Sequence, residues 1–195
     1  DLPSSGSFVN YETPHVHPLD ISPDGSTLAV INTADGYVEI FDISGFDGRI
    51  NHASSIKVGI GPVTARWRDD NELWVVNHIS DSISIVDVDA NMVEKTLITG
   101  RLEDIGQPLF YGPIGDEPAD VVFNAEATYA YVSCSRTDVI QQWNLLSADP
   151  IVERIAHIEG EDPRMMAFHN NKVYTAIFES GNGTTLLFGE SANNG

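Results

Sequence analysis

One cysteine, Cys134, leaves the chain without a partner for an intramolecular disulfide, and no C-x-x-C-H or paired Cys-x-x-Cys spacing marks a haem or a structural zinc site. Bases are scarce too: 10 Lys and Arg stand against 29 Asp and Glu, a formal net charge of −19. A chain this poor in positive charge lacks the footprint that nucleic acid or an anionic membrane surface requires. The excess of carboxylates favours solubility, cation binding or a basic partner instead. No apolar run reaches the roughly 18 residues of a transmembrane helix. There is no G-x-S-x-G elbow and no phosphate-cradling glycine loop, so no catalytic or cofactor-binding residue is assigned. The chain opens on Asp1 rather than Met, which fits a removed signal peptide or a shortened start.

What the chain does have is a fourfold repeat. Segments open at Pro18 (PLDISPDGSTLAVIN), Pro62 (PVTARWRDDNELWVVN), Pro118 (PADVVFNAEATYAYVS) and Pro163 (PRMMAFHNNKVYTAI), spaced 44, 56 and 45 residues apart. Each carries an alternating apolar segment, a polar turn and a second apolar segment. A polar loop and a third segment follow: VEIFDI, SISIVDV, VIQQWNL and TTLLF. Alternation with period two indicates strands, and a period near 45 built only of strands indicates propeller blades. The expected fold is all-β, a propeller of four-stranded antiparallel blades, with about four blades in this chain. Half of a larger propeller is an open alternative.

The blades are expected at residues 13–58, 59–100, 113–160 and 161–190, with an insertion at 101–112 (RLEDIGQPLFYG) accounting for the long middle period. Blade four lacks an evident fourth strand, and Ser7–Tyr11 could supply it by pairing with Thr184–Phe188. Without that closure, two apolar blade faces stay open, and a protein partner or further blades of the same polypeptide are expected to cover them. Trp67, Trp74 and Trp143 fall inside strands and are expected in the core. Asp87–Asn91 starts like a calcium loop but has Met92 where the turn glycine belongs, so it is expected to be a hairpin turn.

The strings LAVIN, LWVVN and YAYVS, with SPDG before the first and IFDI or IVDV after, resemble the YVTN-type propeller repeat of bacterial and archaeal proteins. That resemblance runs from about residue 13 to 188 and implies the fold. It also implies a periplasmic or extracellular location, as in surface-layer proteins, periplasmic binding propellers and lactonase-like enzymes. HVHPL, GDEPADVVF and IFESGNGTT further resemble secreted YVTN proteins that carry a c-type cytochrome domain, though this chain has no haem motif.

In such a repeat, the residues before the first strand and those between the second and third strands share one face near the axis. His15, His17, His78, Cys134, Asp116, Glu117, Asp162 and Glu179 collect there, with Asp35, Asp81, Asp138, Glu159 and Glu161 beside them and Arg136 as the opposing base. His15 and His17 point the same way on an extended segment. Aligned on the repeat, His78 and Cys134 are expected at equivalent positions, matched by Thr33 and Ile177. Imidazoles with a thiolate would suit zinc or copper, and the carboxylates would suit calcium. No cofactor is assigned; a divalent cation, calcium or zinc or copper, is the candidate, with the eight residues named first as its candidate ligands, against the alternative that the histidines bond loop backbone and Cys134 is a small buried residue. The expected function is binding or scaffolding outside the cytoplasm. The alternatives are a lactonase-like or metal-assisted hydrolase using His15, His17 and His78, or the propeller part of a larger redox protein.

Overall fold

The computed structural model describes residues 14–45, 50–99 and 115–179. They form an all-β array of antiparallel sheets. The first blade holds β1 (Leu19–Ile21), β2 (Thr27–Asn32), β3 (Tyr37–Asp42) and β4 (Asn51–Lys57). In the second are β5 (Pro62–Trp67), β6 (Glu72–Asn77), β7 (Ser82–Asp87) and β8 (Met92–Ile98). The third comprises β9 (Pro118–Phe123), β10 (Tyr129–Cys134), β11 (Val139–Asn144) and β12 (Ile151–His157). Of the fourth, β13 (Glu161–His169) and β14 (Lys172–Glu179) are described. Within each blade, sequence neighbours pair as antiparallel hairpins. The insertion at 101–112 and the segments Ser7–Tyr11 and Thr184–Phe188 lie outside the described residues.

Local chemistry sets these elements. Strand β6 reads Leu-Trp-Val-Val, and both its faces are buried, because its alternate residues serve two different cores. Leu73 and Val75 pack with Ala29, Ile31, Val38, Ile40 and Trp67 between the first two blades. Trp74 and Val76 pack with Val121, Ala130, Val132 and Trp143 between the second and third. A smaller cluster of Val122, Ile140 and Met166, flanked by Tyr131 and Phe168, joins the third blade to the fourth. Hence the three tryptophans are core, as expected. The turn at Pro23-Asp24-Gly25 uses the positive φ of Gly25, 76°. Hydrogen bonds from the Ser22 hydroxyl and from Ser26 hold the Asp24 carboxyl below the usual carboxylate range. The Asp87–Asn91 turn closes on a bond from the Ala90 amide to Asp87 Oδ1 and a positive φ at Asn91.

The third and fourth strands of every complete blade shift register at one site, at Ile40/Phe41, Ile85/Val86 and Gln142/Trp143. A bulge repeated in this way adds twist and keeps the outer strand on its sheet. The first strands line up side by side: β1 against β5, β5 against β9, and β9 against β13. They form the inner wall of the array, so side chains from different blades meet there.

Trp74 is fully buried and donates from Nε1 to Glu72 Oε1 at 2.6 Å. Trp74→Ala is expected to lower unfolding free energy by about 3–5 kcal/mol, measured by urea denaturation. Leu19→Ala, at a side chain 56% exposed, should change it by less than about 1 kcal/mol.

Candidate functional site

Two repeated devices build the axial face. In the first, the residue after each second strand bonds the carbonyl of the proline opening the next blade. Thr33 Oγ1 reaches Pro62 O at 2.7 Å, His78 Nδ1 reaches Pro118 O at 3.0 Å, and Ser135 Oγ reaches Pro163 O at 3.2 Å. His78 is therefore equivalent to Thr33 and Ser135. Cys134 and Ile177 sit one position earlier, opposite Pro118 and Pro163, as Asn77 sits opposite Pro62. The sequence alignment of His78 with Cys134 is off by one. Its cause is the start of the apolar string: Leu73 is the second residue of β6, whereas Tyr129 is the first of β10.

In the second device, the loop between second and third strands ends on a left-handed residue: Gly36 (φ 68°), Asp81 (48°) and Asp138 (54°). The two aspartates accept from the backbone of the following blade, Asp81 from Glu117 N at 2.8 Å and Asp138 from Asp162 N at 2.9 Å. Glu117 and Asp162 are themselves left-handed, at 48° and 59°, like Gly61 before Pro62 at 64°. Four acidic residues, Asp81, Asp138, Glu117 and Asp162, thus stand where a glycine would be easiest. Gly115 has no such latitude, because a Cβ there would collide with the Asp81 carboxylate.

The candidate ligands distribute as follows. His15 Nε2 lies 2.6 Å from Thr33 Oγ1, on the first blade. His17 turns to the inner wall. A bend at Val16 lets the Val16 and His17 amides both reach Val63 O, so the two histidines do not share a direction. His78 Nε2 approaches Glu117 Oε2 at 3.7 Å, and Arg136 pairs with the other Glu117 oxygen at 3.3 Å. Asp162 holds Arg164 at 2.9 Å. The face therefore carries Arg164 as well as Arg136, more positive charge than the sequence reading counted. Cys134 is fully buried, and burial, with the Asp116 and Asp81 carboxylates nearby, pushes its thiol well above the usual range. Asp116 is also buried, bonded by Gln141 Nε2 at 2.7 Å and Thr137 Oγ1 at 3.3 Å. The side chain of Glu179 lies outside the described residues. Among the described residues, no three His, Cys, Asp or Glu side chains converge as metal donors.

The residues that do converge lie deeper, on the inner strands, and sequence reasoning passed over most of them. Asp120 of β9 has no exposed side-chain surface. Its Oδ2 accepts from Met166 N at 2.7 Å and meets His17 Nδ1 at 3.1 Å. Oδ1 accepts from Val121 N at 2.9 Å and from Arg66 Nε at 3.5 Å. Arg66 Nη2 lies 2.9 Å from His17 Nε2 and 3.5 Å from Met166 O. Arg66 Nη2 is as near to His17 Nδ1, at 2.8 Å, as to Nε2, so the guanidinium lies over the imidazole face rather than on one ring lone pair. Each blade thus contributes one member: His17 before β1, Arg66 of β5, Asp120 of β9 and Met166 of β13. His17, Arg66 and Met166 border a cavity of about 710 Å³ whose polar end holds His17, Asp20 and Arg66, with Asp120 buried behind it. Asp20 and Asp120 sit on the inner strands β1 and β9 and were not among the candidate residues. The available signal was a charge inside an otherwise apolar strand, Arg66 in PVTARW and Asp120 in PADVVF.

Burial raises the Asp116 pKa to about 6, only partly offset by Thr137 and Gln141. The native state then keeps this proton through a range in which the unfolded chain releases it. Its contribution to stability is present below about pH 4 and is lost as pH rises towards 6, a difference of about 3 kcal/mol for this group. Asp116→Asn is expected to remove that decline, so melting curves of wild type and variant should diverge between about pH 4 and pH 6.5.

Comparison with known proteins places this architecture. The family model described as "Lactonase, 7-bladed beta-propeller" matches residues 4–191. Hydrazine synthase of Kuenenia stuttgartiensis superposes with a TM-score of 0.68 at 22% identity, over 91% of this chain and 46% of that one. A protein described as a putative 6-phosphogluconolactonase from Bacteroides uniformis gives 0.68 at 17% identity, over 87% and 49%. The periplasmic gluconolactonase PpgL of Pseudomonas aeruginosa gives 0.66 at 18% identity, over 83% and 47%. The chain therefore spans about half the length of these structures, and at such identities the likeness shows the fold alone. No curated protein matches the chain significantly. With a family match running through all four blades, the chain belongs to the lactonase family of seven-bladed β-propellers.

Proposed function

We propose that this chain forms part of a propeller that recognises a small oxygen-bearing ligand at its axis, with Arg66 as the group that holds it. The observation that carries this reading is the Arg66–His17–Asp120 cluster at the polar end of the axial cavity. Arg66 is anchored through Nε and Nη2, and among the described residues Nη1 donates to no group. A fixed guanidinium with open donors is a preorganised acceptor-oxygen site. The proposal includes a location outside the cytoplasm. It is supported by the likeness to the periplasmic gluconolactonase and to YVTN-type repeats, and no helix among the described residues is long and apolar enough to cross a membrane. It also includes cover for the outer faces of the first and fourth blades, where Leu19, Ile21, Tyr174 and Phe178 are exposed, by further blades or a partner.

Hydrolysis is the second reading, favoured by the lactonase family match and by one geometric fact. Asp120 orients the His17 ring, as a buried carboxylate orients a general base. Binding takes precedence because Arg66 Nη2 covers the His17 ring, within 2.9 Å of both its nitrogens. A ligand that draws Nη2 away would free it to take a proton from water.

The test is a thermal-shift and calorimetric panel of small lactones and oxo-acids on the 195-residue chain. At least one should bind with a Kd below about 1 mM, and Arg66→Gln should weaken it at least ten-fold while leaving the far-ultraviolet spectrum unchanged. A silent panel sinks the reading. Lactone hydrolysis above the background rate, lost in His17→Gln, would promote the second reading over the first.

A further inference from the structure

We infer that a second copy of this chain docks head to tail, its first blade against the fourth blade of its partner, with apolar contact at mid-sheet and Lys172 set against Asp24 at the turns. This inference rests on the cover proposed above for the outer faces and goes further by naming the occupant. It is independent of the ligand assigned to Arg66. The two bare faces are the two halves of a contact that the chain already makes between its own blades. The strand register identifies the equivalent positions. Ile21 opposite Leu28 in the first blade corresponds to Trp67 opposite Leu73 in the second and to Phe168 opposite Val173 in the fourth. Leu73 and Val75 are fully buried and Trp67 nearly so, because the first blade covers them. Leu28 and Val30 hold the same positions in the first blade but are only half-buried, and Ile21 is 51% exposed. The other end repeats this. Tyr174, one residue beyond Val173, corresponds to Trp74, which packs fully buried against the third blade. Tyr174 is 53% exposed, and Phe178, at the position of the buried His78 and Ser135, is 70% exposed. Faces of this kind mark interaction sites.

The polar groups agree with the same partner. Between the second and third blades, Arg68 reaches Ala127 O in the next turn at 3.1 Å. The fourth blade has His169 at the position of Arg68 and Lys172 at that of Glu72, in a turn without a carboxylate. The counterpart of Ala127 in the first blade is Gly25, since both amides close on the carbonyl three residues back, Ser22 O and Asn124 O. Beside Gly25 stands the exposed carboxyl of Asp24, and Asp70 Oδ1 lies 2.8 Å from the Asp24 amide. A basic turn therefore meets an acidic one. Glu39, the carboxylate on the bare face of the first blade, already has partners: His52 Nε2 lies 2.9 Å from Oε2, and the Ser55 hydroxyl donates to the same oxygen. Its equivalent Gln141 is buried in the contact between the second and third blades. The net charge of −19 on each copy opposes association. That repulsion is screened beyond about 8 Å at physiological salt, whereas the apolar faces and the turns act at contact. Two copies make the contact twice and close a ring of about eight blades, within the range that propellers use.

Sedimentation velocity of the 195-residue chain tests this. The expected result is a dimer with a dissociation constant below about 10 μM. Phe178→Asp on the fourth blade and Ile21→Asp on the first should each weaken it at least a hundred-fold with the far-ultraviolet spectrum unchanged. Tyr174→Asp repeats the fourth-blade test at a second exposed position. A mixture of Phe178→Asp and Ile21→Asp should dimerise at least ten-fold more tightly than either variant alone, because one pair of intact faces remains. A mixture that recovers nothing overturns the head-to-tail contact. So does a dimer lost in Ile21→Asp but kept in Phe178→Asp and Tyr174→Asp, which is two first blades back to back. A monomeric wild-type chain that binds anilinonaphthalene sulfonate overturns the second copy and leaves the need for cover standing. A monomer that binds none of the dye overturns the cover reading as well.

Discussion

A fully buried carboxylate, Asp120, is the constraint on which the inner wall depends. A charge removed from water costs several kcal/mol unless its lone pairs are filled. Here they are filled by groups from three other parts of the array: His17 ahead of the first blade, Arg66 of the second and Met166 N of the fourth, with Val121 N from its own strand. The blades are not merely stacked by apolar contact. They are also pinned at the axis by one side chain whose partners come from three other parts of the array. The same side chain orients the imidazole and holds the guanidinium, so stability and the candidate site share an origin.

The same economy operates further out. Asp81 and Asp138 cap the entry of the next blade, and Thr33, His78 and Ser135 hold the carbonyl of its opening proline. These contacts fix the axial ends of successive blades, while the apolar clusters fix their faces. Apolar contact alone permits sliding. Directional bonds at the axial end set the angle between blades, and with it the shape of the cavity they enclose.

The fold was legible because its signals are local and repeated. Pro18, Pro62, Pro118 and Pro163 mark inner strands, and the Leu-Trp-Val-Val run of β6 shows a strand buried on both faces. The axial face was legible in outline, since Glu117, Asp138 and Asp162 do meet there with Arg136. The deeper cluster was not. His17 and Asp120 are 103 residues apart, and nothing local in HVHPL or PADVVF announces that a bend at Val16 will bring them together. A one-residue offset between YAYVS and LWVVN was enough to set Cys134 beside His78, because every slip of one residue in a strand exchanges its two faces.

Urea unfolding of Asp120→Ala tests most directly whether this carboxylate pins the blades together. Loss of the carboxylate leaves the Met166 and Val121 amides without their acceptor and Arg66 without its buried partner. It should lower the unfolding free energy by at least about 3 kcal/mol. A loss below about 1 kcal/mol would contradict the claim that this side chain pins the blades together.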